Sequence, residues 1–192
     1  MSWKFVLYVI LMCIVLGLTI WGLKARHKSQ AETRESVDLG LKQRPEEKFL
    51  MSLSDKVYAR FGTVGFDRLT VAEKVFFCVW ELEGEINDGG FDQFFFNSGG
   101  NYAVEAVDAF KKIGASKTAG IVRRANSVFK NECPPKNWTA RQDELLALPE
   151  SATEMLRRLD NEFYKYDEDL SILLYEFVIK HRGEFPGEFP DD

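Results

Sequence analysis

The chain has 192 residues, which is enough for one ordinary domain and an appendage. Its formal net charge is −5 at pH 7, and from Leu50 to the end 25 acidic residues outnumber 17 basic ones. That balance argues against direct binding of nucleic acid, because affinity for a phosphate backbone comes largely from Lys and Arg. With three cysteines in all, one of them in an apolar N-terminal run, the chain is not a disulfide scaffold.

Residues 5–23 form an uncharged run of nineteen residues, FVLYVILMCIVLGLTIWGL. At about 1.5 Å per residue, a helix of this length spans roughly 28 Å, close to the hydrocarbon thickness of a bilayer. We therefore predict a single transmembrane helix within residues 1–23, with a cleaved signal peptide as the alternative. Lys24, Arg26 and Lys28 follow it, and basic residues accumulate on the cytoplasmic side. We expect a single-pass protein of the bacterial inner membrane with its domain in the cytoplasm, the periplasm being the alternative.

Composition divides the remainder of the chain into three parts. Residues 24–44 are polar, lack aromatic side chains and carry mixed charge, so we interpret them as a juxtamembrane linker. We expect an all-helical domain over residues 45–182. Two prolines in residues 183–192 exclude a continuing helix and predict an extended acidic tail, whose Phe185 and Phe189 dock on the domain or on a partner.

The apolar residues of the domain recur with helical spacing. Thr70 and Glu73 form a capping box that begins the second helix, and Gly89 is predicted to supply its C-terminal turn. Apolar residues cover a wide arc of this helix, so we expect it to be central and to contact neighbours on more than one side. No stretch alternates with period two, and we predict an all-α fold, a compact multi-helix bundle. The predicted helices cover residues 45–61, 70–88, 101–113, 116–129, 139–148, 153–166 and 170–180.

Few side chains suggest catalysis. His27 lies beside the apolar N-terminal run and His181 at the end of the last helix, and no metal-binding, nucleophile-elbow or phosphate-loop motif occurs. Glu83 falls inside the apolar arc of the second helix, where a carboxylate is desolvated and its pKa raised unless it is hydrogen-bonded. We favour an ion pair, a hydrogen bond to a nearby turn or an arc that is less buried there, with a hydrolase working through Glu83 or Glu85 as a remote alternative. We predict a protein that is not an enzyme and uses no metal or cofactor.

The most informative run is EINDGGFDQFFFNSGGNY at residues 85–102, where four phenylalanines lie beside two Gly-Gly pairs. Glycine supplies positive φ in turns, and Asn or Asp side chains bond to nearby backbone groups there. We expect polar side chains to hold the turns while the rings pack inward or across a groove, where exposed rings would form a binding patch. A divalent-cation site at Asp88 and Asp92 is a weaker alternative, because the spacing lacks the alternating ligands of a calcium loop. The motif residues with a predicted structural role are Glu85, Asn87, Gly89, Gly90, Phe91, Gln93, Phe94, Phe95, Asn97 and Gly100.

The same run resembles the hallmark of the DNA-mimic protein family, E-x-N-N-G-G-F-x-Q-F-F-x-N-x-x-G, with Asp88 in place of the second Asn. Ile113-Gly114-Ala115, Arg141-Gln142 and Leu159-Asp160 also resemble family positions, and the resemblance covers about residues 50–182. It implies an all-helical fold and an acidic surface that imitates DNA, through which a homodimer occupies a transcription regulator. The N-terminal anchor is a departure from that pattern.

Acidic residues are concentrated towards the C-terminus. From Asp143 to the end there are 14 acidic and 5 basic residues, a net charge of −9. We expect this surface to bind a basic protein, for example a transcription regulator, without contacting nucleic acid directly. One alternative is a solvated face that serves solubility, and another is an interaction module, with an immunity or envelope role, that uses the aromatic turn region. The candidate partner-binding residues are Glu154, Asp160, Glu162, Asp167, Glu168, Asp169 and Glu176.

Overall fold

The computed structural model of the protein describes residues 44–187 and residue 189. Within that part of the chain it contains seven α-helices and no β-strand, which confirms the predicted all-α fold. The helices from Pro45 onward belong to one compact unit. They are α1 (Pro45–Val64), α2 (Val71–Phe96), α3 (Ala103–Lys112), α4 (Ser116–Asn126), α5 (Trp138–Leu146), α6 (Glu150–Phe163) and α7 (Leu170–Lys180).

The predicted membrane anchor at residues 5–23 lies outside the described residues, and so does the predicted linker except for Arg44. Among the residues that the structure describes, no helix combines the length and the apolar character needed to cross a bilayer.

The first helix is three residues longer than predicted. α1 begins at Pro45, whose fixed φ suits the first helical position. Gly62 has open space around it and stays helical. The chain turns at Gly65, which takes a φ of 76° while its N–H donates to the Phe61 carbonyl at 2.8 Å. The predicted end at Phe61 is wrong because Gly62 is tolerated inside the helix, and the positive φ that ends it falls at Gly65.

The capping box predicted at the start of α2 is confirmed. The Thr70 hydroxyl accepts from the Glu73 N–H at 3.1 Å, and the Glu73 carboxylate accepts from the Thr70 N–H at 2.7 Å. That carboxylate is 1% exposed and also forms an ion pair with Arg60 of α1 at 3.0 Å. Loss of such a cap costs about 1 kcal/mol. The box therefore begins α2 and also ties it to α1.

The predicted end of α2 at the double glycine is wrong. The helix is only interrupted there. Gly89 (φ −168°) and Gly90 (φ 76°) leave the helical region, and the helix then resumes from Phe91 to Phe96. Gly90, and not Gly89, makes the turn that requires a positive φ. The four phenylalanines of the motif therefore lie on the resumed part of the helix.

α2 is the central helix of the bundle, as its wide apolar arc predicted. It packs against α1, α3, α5, α6 and α7. Phe76 and Leu82 before the interruption, and Phe91 and Phe95 after it, are fully buried. Burial of a side chain of this size contributes about 1.5–3 kcal/mol, so the aromatic segment is a major part of the core. Phe96 is the exception, with 44% of its surface exposed.

Several predicted helix ends are shifted by a few residues. The helix predicted from residue 101 begins as a 3-10 turn over Ser98–Tyr102 and becomes α-helical at Ala103. The helix predicted over residues 153–166 is α6, which ends at Phe163, because Tyr166 adopts a φ of 47° that an α-helix excludes. α4 ends three residues before the predicted end, at Asn126, and α5 covers Trp138–Leu146 in place of residues 139–148, whereas α7 has the predicted bounds.

Residues 182–185 pack on the domain, starting with a 3-10 turn over Arg182–Glu184 after α7. Phe185 is 8% exposed and packs on Phe76, with ring centroids 6.1 Å apart. Glu184 meets the start of α2, where its carboxylate accepts from the Ala72 N–H at 3.2 Å and its carbonyl from the Thr70 hydroxyl at 3.0 Å. A carboxylate at this end of a helix is favoured by the helix dipole. The predicted tail is thus docked at its beginning.

Candidate functional site at the double-glycine motif

A carboxylate from α6 stabilises the interruption of α2. Asp160 Oδ1 accepts from the Phe91 N–H at 2.8 Å, which caps the N-terminus of the resumed helix. A Cβ at Gly90 would lie 2.7 Å from Asp160 Oδ2, so this approach needs glycine for space as well as for its φ of 76°. Burial raises the pKa of Asp160, the bond from the Phe91 N–H opposes the rise, and the charge of Asp92 adds to it.

A fully buried arginine caps the other end of the resumed helix. Arg141 of α5 is 0% exposed. Its Nε donates to the Phe95 carbonyl at 2.7 Å, its Nη2 to the Asn97 carbonyl at 2.9 Å and its Nη1 to the Pro135 carbonyl at 2.7 Å. A Cβ at Gly100 would lie 2.6 Å from Arg141 Nε, which explains the glycine at this position. Burial lowers the pKa of Arg141, but a guanidinium retains its charge at any physiological pH.

Polar side chains join the two parts of α2 across the interruption. Glu85 Oε2, before the glycines, accepts from Gln93 Nε2 at 3.0 Å and from Asn97 Nδ2 at 2.8 Å, both after them. Both donors are neutral amides, so these two bonds do not pair the Glu85 carboxylate with a cation. The motif therefore places a carboxylate and two amides on one wall of a cleft.

This cleft has a volume of about 550 Å³ and is lined by α1 and both parts of α2. Tyr58, Trp80, Glu81, Glu85 and Asp88 are among its lining residues, and no Lys or Arg of the described part of the chain lines it. Glu81 accepts from the Tyr58 hydroxyl. Burial raises the pKa of Glu81, the bond from Tyr58 opposes that rise, and the charge of Glu85 adds to it. A concave surface with carboxylates and aromatic rings and without a cation of its own suits a positively charged ligand.

A second groove, of about 560 Å³, shares Gln93 and Asn97 with the cleft. Its lining includes two exposed apolar side chains, Phe96 at 44% and Leu146 at 76% exposure. Trp138, which is 54% exposed, donates from its indole N–H to the Phe96 carbonyl at 2.7 Å. Of the motif rings, Phe96 alone is solvent-exposed, so the part of the aromatic run that could form a binding patch is this residue.

Glu83 is hydrogen-bonded, which is one of the favoured interpretations. The Tyr166 hydroxyl donates to Glu83 Oε1 at 2.9 Å and accepts from Asn87 Nδ2 at 2.7 Å. Burial raises the pKa of Glu83 and the bond from Tyr166 opposes that rise, while the pKa of Tyr166 is raised to about 12, mainly by burial. Among the described residues, no group of three or more His, Cys, Asp or Glu side chains is placed to hold a metal ion.

Most of the carboxylates predicted to bind a partner contact groups of their own chain. Asp160 caps the resumed part of α2. Glu162 forms an ion pair with Arg124 of α4, and Glu154 forms one with Arg157 at 3.4 Å. Each of these three carboxylates therefore already has a donor or a cation within the domain.

Two further candidates cap helices. Glu168 accepts from the Lys117 N–H at 3.0 Å and from the Thr118 N–H at 2.8 Å, at the start of α4. Although burial opposes it, these bonds hold the pKa of Glu168 below its usual range. Asp169 accepts from the Ile172 N–H at 3.1 Å at the start of α7. Asp167 and Glu176 are exposed and complete the set of seven.

Two features of the site were not predicted. Arg141 was noted in the sequence only as a family position, although it lies four residues before Leu145, which packs against the core. A charged residue on the inward face of a helix is a signal of a buried polar contact. The bond between Tyr58 and Glu81 had no such signal, because the packing of α1 on α2 brings the two side chains together from 23 residues apart.

Residues 67–181 match the sequence model of the DMP19-like protein family. The match covers more than half of the chain and contains the motif, Arg141 and Asp160, so the resemblance stated from residues 85–102 is confirmed at the level of the family. No curated protein and no solved structure matches the chain. On this family match, the chain belongs to the DMP19-like proteins.

Proposed function

We propose that this chain is a protein-binding domain, and not an enzyme, that engages a basic partner through an acidic surface. More specifically, we propose that the surface imitates DNA and that the partner is a DNA-binding protein, such as a transcription regulator. Membership of the DMP19-like proteins is compatible with both forms. The excess of acidic residues from Leu50 to the end, 25 against 17, favours a basic protein over nucleic acid as the partner.

The observation that carries the proposal is the charge of the cleft. Glu81, Glu85 and Asp88 line it without a Lys or Arg among its lining residues. The donors that reach Glu81 and Glu85 are a hydroxyl and two amides, which solvate a negative charge without neutralising it. A concave wall with unneutralised carboxylates concentrates negative potential and raises the rate at which a cationic partner associates.

We place the centre of the proposed surface at the cleft. The sequence alone had pointed to the α6–α7 region, which contains the candidate carboxylates from Glu154 to Glu176. In that region Glu162 pairs with Arg124, and Glu168 and Asp169 cap helices. A carboxylate already bound to a backbone N–H or a guanidinium offers less potential to a partner than one solvated by neutral side chains.

Capture from cell lysate by the full-length chain, purified in mild detergent, tests the proposal. We expect a basic DNA-binding protein that is released by salt and also displaced by duplex DNA. D88N/D92N should weaken capture of this protein, because it removes one exposed carboxylate that lines the cleft and one that lines the neighbouring groove, without changing the core. D167N/E176Q, which removes the same charge elsewhere on the surface, is the control. Capture that survives high salt, or that the two double variants reduce equally, would contradict the proposal.

We also propose that residues 5–23 hold the domain at a membrane, with the domain in the cytoplasm. The support is the uncharged run of nineteen residues and the basic residues that follow it. C-terminal fusions to a green fluorescent protein and to alkaline phosphatase give the test. Fluorescence without phosphatase activity is expected, whereas the opposite pair of results would place the domain in the periplasm.

A further inference from the structure

The acidic cleft and the apolar groove are neighbouring parts of one surface, because Gln93 and Asn97 line both of them. The cleft has a volume of about 550 Å³ and the groove one of about 560 Å³. A short extended peptide could therefore occupy both, since six residues reach about 20 Å.

The apolar half of this surface is held in place by side-chain bonds. The Phe96 carbonyl accepts from Trp138 Nε1 at 2.7 Å and from Gln142 Nε2 at 3.0 Å, so α5 fixes the end of α2 from which the Phe96 ring projects. Leu146, at 76% exposure, is the most exposed of the large apolar side chains that the structure describes. An exposed apolar patch on a fixed backbone is a suitable binding site for an apolar side chain of a partner.

Charge decides what kind of segment carries that anchor. Among the described residues, the carboxylates along the surface are Glu81, Glu85, Asp88 and Asp92, and neither cavity is lined by a Lys or Arg. A second copy of this chain is a poor match, because it carries 25 acidic and 17 basic residues from Leu50 onward. A segment with basic side chains complements the surface in sign.

We propose that the groove and the cleft together bind one cationic segment of a partner protein, with an aliphatic or aromatic anchor against Phe96 and Leu146 and Lys or Arg side chains in the cleft. This inference rests on the proposed function, which it deepens by specifying the chemistry of the partner. The aromatic walls of the cleft, Tyr58 and Trp80, add a face on which a guanidinium stacks.

Fluorine NMR of the full-length chain in zwitterionic lipid nanodiscs tests the inference, with 5-fluorotryptophan in place of tryptophan. Of the four tryptophans, Trp80 lines the cleft and Trp138 lies beside Phe96, while Trp3 and Trp21 serve as internal references. The probe is a hexapeptide with one leucine and three arginines. One comparison peptide has glycine for the leucine, and another has glutamates for the arginines.

We expect the probe to shift the Trp80 and Trp138 signals with one common binding curve. The peptide without leucine should shift Trp80 alone, and the glutamate peptide should shift neither. L146S should weaken binding of the probe by at least about tenfold, the loss expected for an apolar anchor. M51S, which changes a side chain of 47% exposure on α1, should leave binding unchanged.

A probe that shifts Trp80 but never Trp138, or that binds no better than the peptide without leucine, would overturn the inference and leave the proposed function standing. A probe that shifts neither signal would contradict both. A shift of Trp138 on concentrating the protein alone, with no response to the probe, would also overturn the inference, because it would show that a second copy occupies the groove.

Discussion

The α6–α7 region and the cleft beside the double-glycine motif are both acidic, but they use their carboxylates differently. In the first region Glu168 accepts from two backbone N–H groups and Glu162 pairs with a guanidinium. In the second, Glu81 and Glu85 accept from neutral side chains and Asp88 lines an open cavity. The number of acidic residues in a segment therefore does not measure the charge that it offers to a partner.

The difference arises from where helix ends fall. The starts of α4 and α7 lie beside the α6–α7 connection, and unpaired N–H groups at a helix start attract carboxylates. The cleft carboxylates Glu81, Glu85 and Asp88 lie on the part of α2 before the interruption, and the Phe91 N–H, where the helix resumes, is already bonded to Asp160 of α6. Carboxylates there bind side chains or remain open to solvent, which makes the cleft the available acidic surface.

The largest expected effect concerns Arg141. R141M removes the bonds to the Phe95, Asn97 and Pro135 carbonyls, the first buried and the others half-buried, which should cost about 3 kcal/mol or more. R124M is the matched control, because it breaks an exposed ion pair and should cost less than about 1 kcal/mol. Urea unfolding followed by circular dichroism measures both. Equal losses would show that Arg141 does not support the motif.

A second prediction concerns the turn itself. G90A forces a Cβ against Asp160 at a φ of 76°, so we expect a loss of about 1–3 kcal/mol. G120A is the control, because this glycine is helical with open space around it and alanine there should stabilise by about 0.5–1 kcal/mol. The same unfolding measurement applies. A neutral G90A would mean that the interruption of α2 adapts to a side chain.

A third prediction sharpens the contrast between the two acidic regions. E168A removes a cap from α4 and should lower the free energy of unfolding by about 1 kcal/mol. D88A removes an exposed carboxylate of the cleft and should change it by less than about 0.5 kcal/mol. If D88A is the more costly of the two, the carboxylates of the cleft are structural and the contrast fails.

The smallest expected effect is a dependence of stability on pH. Burial raises the pKa of Glu83 in the folded state, so the folded protein binds a proton more readily there than the unfolded chain, and stability falls as pH rises through that folded pKa. E83Q keeps an acceptor for the Tyr166 hydroxyl without the charge. It should therefore flatten the decline of the urea midpoint as the pH rises above the ordinary pKa of a glutamate, while E176Q should not. An unchanged slope in E83Q would assign the decline to other groups.

Local patterns predicted the features that depend on neighbouring residues. The capping box at Thr70, the bounds of α7 and the central position of α2 follow from spacing within one helix, and the structure confirms them. The end of α1 was misplaced because a glycine in a helix and a glycine that stops one look alike in sequence. Gly65 differs from Gly62 only in the φ that the chain takes there.

The site depended on contacts between distant residues. Asp160 caps Phe91 from 69 residues away. In the sequence it is one of many acidic residues near the C-terminus, and partner binding was predicted for it on that ground. The burial of Arg141 depends on carbonyls at residues 95, 97 and 135, which no local pattern brings together. The resemblance identified the motif residues, but it could not show which carboxylates remain available.

The most direct test of the account is calorimetric titration of a tri-arginine peptide into the full-length chain at low salt. D88N/D92N should weaken binding, and D167N/E176Q should leave it unchanged, because the available negative charge lies in the cleft and at Asp92 in the neighbouring groove. Loss of binding in D167N/E176Q with none in D88N/D92N would contradict that claim and return the acidic surface to the α6–α7 region.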